Sequence, residues 1–315
     1  MKRNLSIDIL KLVLAFLIVG LHVRIFKDVD SSLSYFFVQG VTRIGVPLFL
    51  IIGGFYFYNI HTKAQFVNWI KRLLYMYLIW MAVYVIFWKD YSFANILFRL
   101  IFGYHHLWYL VGALYGFIIA WAIRDFKLKT QLFLIVLSTV IGLFLQDNNN
   151  YSITSYNFES PEKLEYVNVY RNGLFFCFPF IMIGYLINKF SINQKQVNWL
   201  LLTISGFFLL ALEVIFNYKH GAKVFDMLLS LYILCPALFI YILDKKFYAD
   251  NKTIALYSTG IYLTHIFILS ILERILKRVS FFTISETPKT IIVFLLSVMV
   301  TFFLIKIQKR FKYIL

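Results

Sequence analysis

Two ionisable side chains, Lys11 and His22, lie inside the first long apolar run of the chain, residues 7–26. Hydrocarbon excludes charge, so ionisable residues within an apolar span are functional candidates. Their spacing is about three helical turns, so a helix would place both on one face, roughly 16 Å apart along its axis. An imidazole can serve as a general base near neutral pH, and an ammonium group can bind an anion. The pair therefore predicts proton transfer at one end of the span and anion binding at the other.

The composition requires a lipid bilayer as the solvent. Of the 315 residues, 61% are hydrophobic and 15% are charged, and the mean hydropathy is +0.77. A soluble domain cannot hide that much apolar surface. Ten apolar runs can cross a hydrocarbon core of about 30 Å. They cover residues 7–26, 41–60, 69–88, 106–123, 131–146, 170–189, 197–217, 225–243, 254–273 and 290–305.

These runs predict an all-α, polytopic integral membrane protein with about ten transmembrane helices. The count ranges from nine to eleven, because the fifth run is short and Arg99 could begin a longer or re-entrant fourth helix. We predict one transmembrane domain over residues 1–315 and no separate soluble domain.

The basic residues predict the orientation of the helices, since Lys and Arg accumulate on the cytoplasmic side. With a cytoplasmic N-terminus, that side carries 17 of the 31 basic residues and three acids. Both termini are then cytoplasmic. The net charge of +16 therefore arises mainly from the basic residues on the predicted cytoplasmic side. No nucleic-acid partner is expected, because the chain has no separate basic domain or arm.

Alternating helix directions bring many ionisable residues to the outer level of the membrane. Such residues usually face one another or a wet cavity, which predicts a polar pocket open to the outer side. Snorkelling of single side chains to the headgroups is the alternative. The residues at this level are His22, Arg43, His105, His106, Arg171, Glu213, Asp226 and His265.

Three basic residues lie on the predicted cytoplasmic side. Lys11 lies one turn inside the first span, and Lys71 and Arg72 open the third. Such side chains could hold the phosphates of a soluble donor. Topology alone also requires basic residues at cytoplasmic helix ends, which is the alternative for Lys71 and Arg72.

Two further features belong to the predicted outer side. Trp108 follows two histidines and could stack on a substrate sugar, although a tryptophan at a span end is usually an interfacial anchor. The longest polar stretch, Gln146 to Asn168, predicts a loop of about twenty residues that could line an acceptor site.

Four stretches, in the same order along the chain, resemble the membrane-bound acyltransferase-3 family. Each is weak alone, but four in register over ten spans are specific. Within the family the chain is most similar to compact, single-domain bacterial O-acetyltransferases that modify surface polysaccharides, such as those of enterobacterial common antigen. The stretches are Asp8 to Lys11 with Gly20 to His22, Arg43 to Leu50 with Gly53 to Tyr56, His106 to Leu110, and Ser258 to His265.

The resemblance implies transfer of an acetyl group, or another short acyl group, from cytoplasmic acetyl-CoA or another acyl-CoA. The implied acceptor is a hydroxyl of a cell-surface or lipid-linked glycan, and the implied location is the bacterial inner membrane. Family members carry a basic residue and a histidine, with ten residues between them, on the first span, and Lys11 and His22 match them. Many relatives have Arg at the first position, and Lys keeps the charge but lacks the planar guanidinium fork. Lys71 and Arg72 match a basic pair only in part, because Tyr75 stands where Arg is often found.

The residues then receive roles. His22 is the general base or a transient acyl carrier, because a sugar hydroxyl must lose its proton to attack a thioester. Lys11 is at the donor end of the same helix, and Lys71 and Arg72 join it in binding the donor. His106 assists the catalysis. The acceptor is assigned to Arg43, Trp108, Arg171, Glu213 and His265. No metal is expected, since Cys177 and Cys235 have no metal-ligand spacing.

Two other classes remain as alternatives. A secondary transporter or glycan exporter would use the intramembrane charges as a substrate or proton path. The prolines at positions 47, 179 and 236 interrupt spans without the symmetric spacing that such transporters favour. A non-catalytic assembly or sensor protein would not need ionisable groups on so many helices.

Overall fold

The computed structural model describes residues 3–88, 92–151, 167–221, 223–245, 247–249, 253–279, 283–308 and 310–315. Helices account for almost all of its regular structure. In chain order, its α-helices are α1 Leu5–Val23, α2 Ser31–Gln39, α3 Gly45–Phe57, α4 Lys63–Tyr84, α5 Phe93–Phe102, α6 Trp108–Ile123, α7 Leu128–Tyr151, α8 Val167–Tyr170, α9 Phe178–Lys189, α10 Trp199–Lys219, α11 Leu231–Leu243, α12 Thr253–Arg278 and α13 Glu286–Ile307. Two two-residue strands, β1 Arg3–Asn4 and β2 Tyr248–Ala249, pair antiparallel.

The helices confirm the predicted all-α, multi-pass architecture. Within the described residues, eight helical stretches are long and apolar enough to cross a membrane. They are Leu5–Val23, Ser31–Phe57, Lys63–Phe87, His105–Ile123, Leu128–Tyr151, Trp199–Lys219, Thr253–Arg278 and Glu286–Ile307. Three shorter apolar helices are Phe93–Phe102, Gly173–Lys189 and Leu231–Leu243. The ten sequence-predicted runs all fall on these stretches.

Arg99 belongs to a separate helix, α5, and does not extend the fourth span. The helix ends at Gly103, whose φ of 89° lies in the left-handed region that glycine adopts readily. The chain then resumes as a short 3-10 turn, His105–Leu107, that leads into α6.

The predicted loop from Gln146 begins too early. Helix α7 continues to Tyr151, and Gln146 is buried within it. Its side-chain amide accepts the N–H groups of Asp226 and Met227 at 2.8 and 2.7 Å and donates to the Met227 carbonyl at 2.7 Å. These bonds replace the water that a loop residue would otherwise need. At its other end the prediction runs too far, because Asn168 belongs to α8, and residues 152–166 lie outside the described residues.

The chain divides into two compact units. The first unit comprises Met1–Gly45, Phe207–Ala222 and Ile240–Leu315. The second comprises Val46–Gly206 and Lys223–Phe239.

In the first unit, α1 packs against α12 and α13. Asn4, just before α1, pairs with Tyr248, which precedes α12. Near the other end of α1, the ring of His22 contacts that of His265 in α12, so the two helices run parallel. Asn4 also caps α1, since its side-chain oxygen accepts the Ser6 N–H at 3.0 Å.

The turn after α1 is tied to the start of α13. The Asp28 carboxylate accepts the backbone N–H of Thr287 at 3.1 Å and its hydroxyl at 2.6 Å, while that hydroxyl accepts the Phe26 N–H at 3.0 Å. A negative charge is favourable at a helix N-terminus. The bond from the Thr287 hydroxyl lowers the pKa of Asp28, so the carboxylate stays ionised at neutral pH.

Close packing of α12 on α13 depends on small residues. A Cβ at Gly260 would overlap the side chain of Thr301. The hydroxyls of Thr301 and Ser297 donate to carbonyls one turn earlier in α13, at 2.7 Å each, so this face presents little polarity to its neighbour. Small residues allow such approach between helices in a membrane.

In the second unit, α3 and α9 touch backbone to backbone. A Cβ at Gly54 would overlap the Ile181 carbonyl oxygen, and one at Gly184 would overlap that of Ile51. The contact is reciprocal, so the two glycines fix where the helices cross. Gly53, by contrast, faces only the end of the Phe117 ring, at 3.0 Å from an added Cβ.

We expect Gly54→Ala to lower the free energy of unfolding by more than about 2 kcal/mol, because backbone cannot move away as a side chain can. Gly53→Ala is the matched control and should cost less than about 1 kcal/mol. Thermal unfolding of both variants in detergent measures the difference. Equal stability of the two variants would contradict this explanation of the crossing.

Candidate active site

The first unit places His22 in the last turn of α1. The helix ends at Arg24, whose φ of 64° is left-handed, and the Ile25 N–H returns to the Gly20 carbonyl at 2.9 Å. This ending closes the helix just beyond His22 and fixes its backbone. The side chain is partly buried, so it is held by the protein and retains some exposure.

A second histidine, His265 of α12, lies against His22. The ring centroids are 5.2 Å apart and the planes are tilted by 39°. His265 is almost wholly buried, with 1% of its surface exposed. Its Nδ1 lies 3.1 Å from the Ile261 carbonyl oxygen, one turn earlier in α12. The structure therefore brings together two of the sequence-predicted site residues.

Lys11 is partly buried on α1, and its helix is regular through to His22. The two positions therefore share one face, as the spacing predicts. A carboxylate that the sequence analysis assigned no role, Asp8, lies three residues before Lys11 and is 2% exposed. Residues three apart are neighbours on a helix surface. The sequence feature that could have identified Asp8 as a candidate is its position as an acid within the same apolar run as Lys11.

Two more predicted residues belong to the first unit. Arg43 lies in the 3-10 turn Val41–Ile44, and its guanidinium donates to the Gln39 side-chain oxygen at 2.6 Å. Glu213 is partly buried on α10. The neighbouring Val214 contacts the turn at Gly40, where an added Cβ would lie 2.9 Å from its side chain.

The second unit holds a separate cluster around Arg171. Its guanidinium lies 4.9 Å from the centre of the Trp108 ring and 3.5 Å from the carboxylate of Asp226. Trp108 is 9% exposed, and Phe176 packs edge-on against it with centroids 5.5 Å apart. The Arg171 guanidinium thus lies close to the indole ring that we predicted to stack on a substrate sugar.

Side-chain amides hold this cluster in position. Gln146 binds the backbone of Asp226 and Met227, as described above, and Asn150 donates to the Val224 carbonyl at 3.0 Å. Asn172, next to Arg171, caps a π-helical turn, Gly173–Cys177, by accepting two N–H groups at 2.9 Å. Side-chain amides therefore hold the backbone at Asp226 and the turn that follows Arg171.

The other predicted residues of the second unit are spread over two helical regions. His106 is buried in the turn before α6, with its ring 5.1 Å from that of Tyr84. The adjacent His105 has a left-handed φ of 48°. Lys71 and Arg72 are exposed on α4. Within the described residues, no group of three His, Cys, Asp or Glu side chains could hold a metal ion.

Apolar helices with buried histidines and a buried ion pair define a multi-pass membrane protein with polar sites inside its helical units. The model of the acyltransferase-3 family, described as an acyltransferase domain, matches residues 4–306, and the chain belongs to this family. Membership confirms the resemblance seen in the sequence, and residues 4–306 form an acyltransferase domain of this family.

One curated protein, described as an amino-acid racemase from Enterococcus faecalis, is 25% identical over 212 residues. The match covers 62% of this chain and 29% of that protein, so the chain spans less than a third of its relative's length. No solved structure is detectably similar to the chain.

We expect Arg171→Ala to destabilise the second unit by about 3 kcal/mol, because it leaves the Asp226 carboxylate, only 5% exposed, without this cation. The double variant Arg171→Met with Asp226→Leu should recover much of that loss, since it removes both charges. Thermal unfolding in nanodiscs measures both. A double variant as unstable as the sum of Arg171→Met and Asp226→Leu, each measured alone, would contradict a direct coupling.

Proposed function

We propose that the protein is an O-acyltransferase that moves an acetyl or other short acyl group from acyl-CoA to a hydroxyl of a cell-surface or lipid-linked glycan. Membership of the acyltransferase family supports the reaction class. The observation that supports the assignment of residues is the placement of the partly buried His22 beside the buried His265, on the same helix face as Lys11.

In the direct form of the reaction, His22 acts as general base. The acceptor hydroxyl gives its proton to the imidazole as its oxygen bonds to the acyl carbon. The carbon–sulfur bond then breaks, and the CoA thiolate takes the proton from the imidazolium. Atoms and charges balance, and the enzyme returns to its starting state.

In the second form, His22 carries the acyl group. The imidazole attacks the thioester and CoA leaves as a thiolate that takes the N–H proton of the acylated imidazole. The acceptor hydroxyl then attacks the acyl carbon, the bond to the imidazole breaks, and the imidazole takes the hydroxyl proton, so one difficult step becomes two. The forms differ in one measurable way. Only the carrier form leaves label on the protein when acyl-CoA is supplied without an acceptor.

The donor end is assigned to Lys11. CoA carries several phosphate charges, and an ammonium group in a partly apolar place attracts them strongly. The excess of basic residues supports a cytoplasmic N-terminus, which would put Lys11 toward the cytoplasmic acyl-CoA pool and His22 toward the outer side. On this topology the protein resides in the bacterial inner membrane.

The remaining roles stay predictions. Arg43 and Glu213 in the first unit are proposed to contact the acceptor. In the second unit, Arg171 and Trp108 are also proposed to contact the acceptor, and His106 is proposed to assist catalysis. Lys71 and Arg72 are exposed on α4 and accessible to the donor phosphates. Each can be tested by substitution in the assay below.

We expect His22→Ala to reduce acyl transfer at least 100-fold, because the reaction loses its base or carrier. Purified protein in nanodiscs is supplied with radiolabelled acetyl-CoA, and CoA release and protein-bound label are measured. A second acyl-CoA, succinyl-CoA, is tested in the same way.

The matched control is His220→Ala. This histidine is exposed in the first unit and stacks on Phe216, so its loss should leave the rate unchanged. Full activity of His22→Ala would overturn the catalytic assignment. Absence of CoA release from the wild type with both donors would turn attention to glycan transport.

For Lys11, we expect Lys11→Arg to keep most of the activity and Lys11→Ala to raise KM for acyl-CoA at least tenfold, because a positive charge at this position binds the donor. Steady-state kinetics with varied acyl-CoA separates KM from kcat. An unchanged KM in Lys11→Ala would place the donor elsewhere.

A further inference from the structure

A groove in the first unit is lined by residues that have no role in the reaction described above. It lies between α2 and the last turns of α10 and has a volume of about 410 Å³. Ligand pockets commonly enclose roughly 300–1,000 Å³, so a small ligand can enter it. This α2–α10 groove is lined by Asp30, Ser32, Tyr35 and Phe36 on the α2 side and by Val214 and Tyr218 on α10, among others.

The packing of α10 on α2 closes the groove at one end. Gly40, which ends α2, lies against Val214, since an added Cβ would be 2.9 Å from that side chain. Val214 is 2% exposed and forms the floor. One turn further along α10, Tyr218 is 42% exposed, and its ring centroid is 5.1 Å from that of Tyr35, with the planes tilted by 51°. The groove is therefore closed at Val214 and open beside two tyrosine rings.

The open end also carries a carboxylate. Asp30 caps α2, and it accepts the Ser32 hydroxyl and, at 2.8 Å, the Leu33 N–H. The bond from Ser32, followed by that from Leu33, lowers the pKa of Asp30, so the group is ionised at neutral pH. A carboxylate has about four acceptor positions, and these two bonds leave capacity for a ligand. Asp30 is exposed, so a ligand in the groove can reach it.

A sugar ring matches this combination of groups. Its faces present C–H groups, which suit the negative faces of aromatic rings, and its edge presents hydroxyl donors, which suit a carboxylate. Among the described residues that line the groove, none is basic. A phosphate or an acidic sugar would therefore be repelled by Asp30. A hydrocarbon chain would take water from the carboxylate without replacing its hydrogen bonds.

The α2 wall of the groove is attached to the turn that follows His22. The Ser34 hydroxyl of α2 donates to the Ile25 carbonyl at 2.9 Å. The ring of Phe37, also on α2, lies 4.8 Å from that of Phe26. Binding of a part of the substrate that does not react can orient the part that does. A glycan held in the groove would thus be held in the unit that contains His22.

We propose that the α2–α10 groove binds an uncharged sugar residue of the acceptor glycan. The sugar ring packs against Tyr35 and Tyr218, and its hydroxyls donate to the Asp30 carboxylate. Another sugar of the same glycan receives the acyl group. The proposal rests on the function proposed above, in which the acceptor is a glycan.

The proposal is tested by fluorine NMR of the 315-residue chain, labelled with 3-fluorotyrosine, in nanodiscs without acyl-CoA. The signals of Tyr35 and Tyr218 are assigned by their loss in Tyr35→Phe and in Tyr218→Phe. The probes are two uncharged oligosaccharides, maltotetraose and chitotetraose, and the acidic tetragalacturonate. We expect at least one uncharged probe to shift both signals until saturation, and tetragalacturonate to leave them unchanged. No shift with either uncharged probe, or an equal shift with the acidic one, would overturn the proposal.

Two variants and a control then locate the binding. Tyr218→Ala should raise the Kd of the bound oligosaccharide about tenfold, followed at Tyr35, because one aromatic face is lost. Asp30→Asn keeps an oxygen that can cap α2 and should raise the Kd about threefold, because charge-assisted hydrogen bonds are stronger than neutral ones. Tyr248→Ala, also exposed in the first unit but outside the groove, should leave the Kd unchanged. An unchanged Kd in both groove variants, or the same rise in the control, would contradict binding in the groove.

A lipid chain is the competing occupant. Farnesol, a hydrocarbon chain without a sugar, is added in place of the oligosaccharides, and a shift with farnesol alone would overturn the proposal in favour of a lipid site. Binding needs no acyl transfer. Oligosaccharide binding by a wild type that releases no CoA would overturn only the function proposed above, and CoA release without oligosaccharide binding would overturn only the groove.

Discussion

Hydrocarbon offers no hydrogen-bond partner, so every polar group along these helices has to find one within the protein. The structure meets this requirement locally where it can. Hydroxyls on α12 and α13 bond to carbonyls one turn earlier, as Thr264 does to Gly260 at 2.8 Å. Where no local partner suffices, the partner comes from elsewhere in the same unit: Gln146 binds the backbone at Asp226, and Arg171 pairs with the Asp226 carboxylate.

Satisfying polar groups in this way requires helices to approach closely, and the glycines allow it. Gly260 admits Thr301 in the first unit, while Gly54 and Gly184 admit backbone carbonyls in the second. Lipid tails are as apolar as leucine, so packing and hydrogen bonding, not burial of apolar surface, decide how helices associate in a membrane. The positions of the functional side chains are thus set by contacts that carry no chemistry of their own.

The same constraint accounts for the reactivity assigned to the first unit. The first unit holds His22 of α1 against the buried His265 of α12. Membership of the acyltransferase family supports the reaction class that we propose for this arrangement. The cluster of Arg171, Trp108 and Asp226 serves first to hold its own unit together, whatever it binds besides.

Apolar run length and helical periodicity are local properties of the chain, so the amino-acid pattern was enough to predict the membrane class, the ten apolar runs, the common face of Lys11 and His22, and the family. It also led to an error at Gln146, where a polar side chain was taken for a loop although its partners lie far along the chain. Three contacts became visible only in the folded protein: His265 against His22, the Arg171 guanidinium near the Trp108 ring, and Gly54 against a backbone carbonyl. Those contacts depend on which helices pack together and at what depth, and no local pattern encodes that choice.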